Sequence, residues 1–71
     1  MHLRDRYINE LDDVNKRINN VSHKIAINDI RIQRVPDPEG FLASYGLSLG
    51  AELARYRDRK RELEHYLKEK N

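Results

Sequence analysis

Three histidines, His2, His23 and His65, are the side chains best suited to hold a metal or move a proton in this chain. Neither His23 nor His65 has a second histidine four residues on, and both fall outside the apolar repeat described below, so a zinc site is not expected. Adjacent acids such as Asp12 and Asp13 could in principle share acid–base work. On a helix, however, neighbouring side chains point about 100° apart, which suits capping and solubility instead. There is no Ser–His–acid arrangement, no glycine-rich phosphate loop and no His-Glu-x-x-His pair. No catalytic residue, metal or cofactor is therefore expected, and the chain does not read as an enzyme or a small-molecule binder.

One basic cluster could do electrostatic work: Arg55, Arg57, Arg59, Lys60 and Arg61. Nucleic-acid binding would need these cations on one face, where they neutralise phosphates. A helix spreads them instead, with Arg55 and Arg59 on one side and Arg57 and Arg61 on another. Glu62 and Glu64 lie within i,i+3 or i,i+4 reach of Arg59, Lys60 and Arg61. A solvated, salt-bridged face is the expectation. Nucleic-acid binding through these five cations, with support from Lys16 and Arg17, is the alternative.

A third feature is the absence of charge. From Gly40 to Ala51 the chain carries no charged residue, although 37% of all residues are charged. Phe41, Tyr45 and Leu47 in this stretch, with Ile27 and Ile30 before it, are apolar but off the seam that the helices need for each other. Gly46 and Gly50, flanked by Ala43, Ala51 and Ala54, would let another helix approach closely. Exposed apolar surface of this kind marks interaction sites. Ile27, Ile30, Phe41, Tyr45 and Leu47 are the candidate partner-binding residues, with the aromatics as anchors.

These features need elements to position them, and the repeat supplies two helices. Apolar residues recur in steps of three and four, or of seven where a position is skipped, at Tyr7, Leu11, Val14, Ile18, Val21, Ile25 and Ile32. They resume at Leu42, Leu49, Leu53, Tyr56, Leu63 and Leu67. Between the two series stands Val35-Pro36-Asp37-Pro38. The pattern predicts an all-α antiparallel hairpin, coiled-coil-like, with helix 1 over about 3–34, a turn at 35–37 and helix 2 over about 38–69. Asp37 would be the N-cap and Pro38 the first helical residue. A second reading leaves Gly40 to Leu47 as a loop and starts helix 2 near Ser48. Asn19-Asn20-Val21-Ser22 is the weak point of helix 1, where a kink would fall. Asp12–Lys16 and Asp13–Arg17 are expected i,i+4 ion pairs.

Folding the chain about residue 37 pairs Ile32 with Leu42, Ile25 with Leu49, Val21 with Leu53, Ile18 with Tyr56, Leu11 with Leu63 and Tyr7 with Leu67. Two layers break the pattern: Asn28 faces Gly46, and Val14 faces Lys60. A buried Asn would fix the register; an Asn at a wet edge would not.

Seventy-one residues make one domain, spanning 1–71, and a two-helix hairpin of that length has a thin core. No cysteine staples it. Dimerisation into a four-helix bundle, or a larger protein partner, is the expected remedy. The charged start of the chain and the lack of a ~20-residue apolar run argue against a leader or membrane span and for a cytoplasmic protein. A net charge of +2 in so charged a chain suggests solvated helix faces and not a dedicated electrostatic surface. The chain reads as a small interaction module, an adaptor or inhibitor acting by occlusion or scaffolding, in the size class of phage-encoded regulators. A structural coiled-coil component is a further alternative.

Overall fold

The computed structural model describes residues 3–69. They form two helices, α1 (Leu3–Arg34) and α2 (Phe41–Glu69), packed side by side as an antiparallel all-α hairpin 52 Å long and 16 × 14 Å in section. No helix among the described residues is long and apolar enough to cross a membrane.

α1 runs without interruption through Asn19-Asn20-Val21-Ser22. The poor helix formers are overruled because Val21 is buried between the helices at 3% exposure. Packing of an apolar stripe outweighs propensity over so few residues. A last helical bond runs from Val35 N to Arg31 O at 2.8 Å. The helix ends there because Pro36 removes the next backbone donor.

α2 begins at Phe41, three residues later than Pro38, and residues 41–47 are helical, so the loop reading of that stretch is also corrected. The cause is Gly40, whose φ of +74° lies in the left-handed region. That conformation cannot continue a helix back toward Pro38. Gly40 closes the turn by donating its N–H to Asp37 O at 3.1 Å, and its own carbonyl accepts the first α2 bond from Ser44 N. Asp37 still caps the helix, but across a longer reach than expected. Its Oδ2 accepts from Leu42 N at 3.1 Å and Ala43 N at 3.2 Å. A carboxylate thus stands at the positive end of α2.

The core is one line of side chains. Val14, Val21, Leu49 and Leu63 are buried, and Leu63 is fully enclosed. Asn28 joins them at 3% exposure, a sealed amide and not a wet edge. Its Nδ2 donates to Leu42 O at 2.9 Å. A Cβ added to Gly46 would stand 3.0 Å from that nitrogen, so the glycine opposite makes the room for it, as the register requires. At the other end Tyr7 stacks on Tyr66 with ring centroids 5.3 Å apart. Such stacking adds to the apolar burial of both rings. One seam position departs from the pattern. Ile32 is 41% exposed, because α2 starts only at Phe41 and leaves the last layer of α1 thinly covered.

The thinness of the core shows in the surface. A compact globule of this mass exposes roughly 4,700 Å², whereas this hairpin exposes 5745 Å².

Candidate functional site

The apolar side chains near the turn stand largely in solvent. Leu47 is 78% exposed, Phe41 71%, Ile30 50%, Tyr45 47% and Ile27 38%. They do not form a single patch. Ile27 and Tyr45 come together from opposite helices and line a concavity of about 200 Å³ with Lys24, Asn28 and Arg31. Phe41 precedes Tyr45 by one turn of α2 and extends that side. Leu47, two residues beyond Tyr45, lies on the opposite side of α2 at ~100° per residue, with Ala43, Gly50 and Ala54. Gly50 meets no other group within 4 Å of a built Cβ, so this small-residue flank is open. Ile30 lies on the back of α1.

Sequence reasoning missed four exposed apolar side chains, Leu3, Ile8, Val35 and Tyr66. Their signal was the same as that of Ile27: large apolar residues off the seam. It also missed the cationic wall that Lys24 and Arg31 give the Tyr45 concavity, since that needs both helices in place.

The basic cluster is partly tied down. Arg59 reaches across the hairpin to Glu10, with Nε to Oε2 at 2.6 Å and Nη2 to Oε1 at 3.0 Å, and also meets Glu62 at 3.0 Å. Arg61 pairs with Asp58. Arg55, Arg57 and Lys60 have no carboxylate partner among the described residues, and Lys60 is half-buried in the seam. Lys16 and Arg17 hold Asp12 at 3.2 Å and Asp13 at 2.9 Å, the two expected pairs. The nearby Tyr56 hydroxyl and then the Asp13 carboxylate raise the Arg17 pKa.

The bidentate Glu10–Arg59 bridge ties one helix to the other. The Arg59 guanidinium holds the Glu10 carboxyl below the usual carboxylate range against a smaller opposing effect of burial, and Glu10 raises Arg59 in return. A carboxyl depressed in the folded state stabilises the fold above its ordinary pKa. That contribution disappears as pH falls through the folded value. The melting midpoint should therefore drop between about pH 5 and pH 3 more steeply in the native chain than in Glu10→Gln. Parallel curves for the two proteins would show that the bridge does not hold in solution.

Among the described residues no cluster of His, Asp or Glu could hold a metal ion. His23 and His65 point outward on different helices, with the His65 ring tilted beside Tyr66, and His2 lies outside the described residues. A wider concavity at the open end is lined by Arg4, Arg61, Glu64, His65, Leu67 and Lys68, three cations and a histidine against one carboxylate.

Comparison with known protein families, with curated proteins and with solved structures finds no match to this chain.

Proposed function

We propose that this chain is a small protein–protein interaction module, an adaptor or inhibitor of a larger partner, which acts by occluding or bridging a surface and also pairs with itself. One observation carries the reading. In a highly charged hairpin, large apolar side chains near the turn stand exposed, from 38% at Ile27 to 78% at Leu47, while the helices' mutual seam is already filled. Apolar surface left open in this way marks a contact with another molecule. Two flanks are available. The Leu47 side of α2, lined by small residues, suits close packing of another helix, and a four-helix arrangement of two hairpins would cover it. The Phe41–Tyr45 side supplies aromatic anchors of the kind that dominate binding energy.

Leu47→Asp tests this reading. The side chain makes little contact within the hairpin, so helix content by circular dichroism should be unchanged. Self-association by sedimentation equilibrium, or capture of a partner, should fall at least about tenfold, as expected for burying a charge at the centre of an apolar contact. Unchanged association in both assays would remove Leu47 from any interface and defeat the reading.

A further inference from the structure

We infer that the furrow on the Tyr45 side of the hairpin receives the outer face of α1 from a second copy, joining chains head to tail. The receiving site draws on both helices. Its floor is Ile27 and Tyr45, both partly exposed, and its α1 wall carries Lys24 and Arg31. Those two cations stand two helical turns apart, roughly 10 Å along the axis. No carboxylate lines this concavity, and neither cation has an acidic partner among the described residues. Lys24 also borders the next concavity toward the open end, where Asp13 and Glu52 stand among Lys16 and Arg17, so the cationic stretch ends there.

The chain carries the complement of this site. Asp5, Ile8 and Asp12 repeat the spacing of Lys24, Ile27 and Arg31, acid for base and isoleucine for isoleucine, each nineteen residues earlier. All three side chains are exposed. At ~100° per residue they share the side of α1 turned away from α2. Asp12 already holds Lys16, but in an open i,i+4 pair that leaves it accessible. When α1 of one copy lies parallel to α1 of another, the constant offset brings Asp5 to Lys24, Ile8 to Ile27 and Asp12 to Arg31 together. Burial of the isoleucines beside Tyr45 drives the contact, and the charges set its register and direction.

The donating and receiving faces differ, so the contact is heterologous. On one helix they are separated by nineteen residues, about 28 Å along the axis and about 100° around it. One copy can therefore donate and receive at once, and the product is an open chain of hairpins rather than a closed pair. The inference shares Ile27 and Tyr45 with the proposed function, and rests on that reading in holding that they meet another chain, but it does not use Leu47.

The test uses the full chain carrying Leu47→Asp, which removes contacts through the far flank of α2. Sedimentation at low salt should show mass rising with concentration past a dimer, and high salt should suppress it. Lys24→Glu with Arg31→Glu, and separately Asp5→Lys with Asp12→Lys, should each weaken association at least about tenfold, with helix content retained. Mixing the two variants should restore growth, since each offers the face the other has lost. A monomer at every concentration, reversal variants that associate like their parent, or a mixture no better than its components would overturn the inference. If Leu47→Asp leaves the native chain's association untouched while the reversals abolish it, the proposed function of Leu47 fails and this contact stands. The converse result defeats this contact alone.

Discussion

Leu63→Ala should cost this hairpin roughly 2–5 kcal/mol, the range for truncating a buried leucine. Among the described residues Leu63 is the one large side chain that is fully enclosed, and three other apolar residues, Val14, Val21 and Leu49, are buried with it. A core of that size rarely supplies more than ~3–5 kcal/mol in total. The variant should thus be largely unfolded at room temperature, or fold only at concentrations where another chain covers it. Urea titration followed by circular dichroism would measure the loss. A cost below about 1 kcal/mol would mean that the seam relaxes around the missing side chain and that the fold is held elsewhere. Truncating Leu47 to alanine, by contrast, should leave the stability of the isolated hairpin nearly unchanged, because that side chain is already in solvent.

The second large effect comes from a change of one atom. Asn28→Asp keeps the shape of the buried side chain but replaces the donor facing Leu42 O with a carboxylate oxygen. At neutral pH this places a carboxylate against a carbonyl in a buried layer, a loss that Lys24 and Arg31 beside it offset only in part, at a net cost of about 1–3 kcal/mol. Protonation repairs it, since a carboxylic acid can donate to the same carbonyl. The folded pKa of the new group is therefore raised above its unfolded value of about 4. Its stability relative to the native chain is present below that value and lost as pH rises through the folded pKa, the opposite sense to Glu10. Chemical unfolding of both proteins at matched pH values reads the difference directly. Equal stability at neutral pH would mean that water reaches the amide layer.

Periodicity made the fold legible because a two-helix hairpin has so few ways to bury one stripe per helix. The steps of three and four named the buried residues, and the position of the prolines fixed which layers face each other. Asn28 opposite Gly46 is the clearest instance: a polar residue and a residue with no side chain fell in the same layer, and the structure seats the amide against that glycine. The start of α2 was less legible. Pro38 is a good first helical residue, but the left-handed backbone at Gly40 overrides it and leaves Asp37 to cap α2 from farther back. Glycine is as compatible with a helix N-terminus as with a break. Exposure at Ile32 follows from that shift. The interhelical bridge from Arg59 to Glu10 was hidden because a long side chain crosses between layers that do not face each other in the seam. Among the candidate binding residues, composition identified the apolar surplus. Grouping Ile27 with Tyr45, and flanking them with Lys24 and Arg31, required the relative rotation of the two helices.

The shape of the hairpin has a practical consequence. Its radius of gyration is 16.2 Å. A compact chain of this length would have about 11 Å, and a radius of roughly 16 Å belongs to a globule of roughly 190 residues. A single copy should therefore elute early from a gel-filtration column, at a volume that calibration with spherical standards assigns to an oligomer. Chromatographic retention will mimic pairing even in a variant that has lost it, so light scattering or sedimentation, which weigh the particle instead of sizing it, must count the chains.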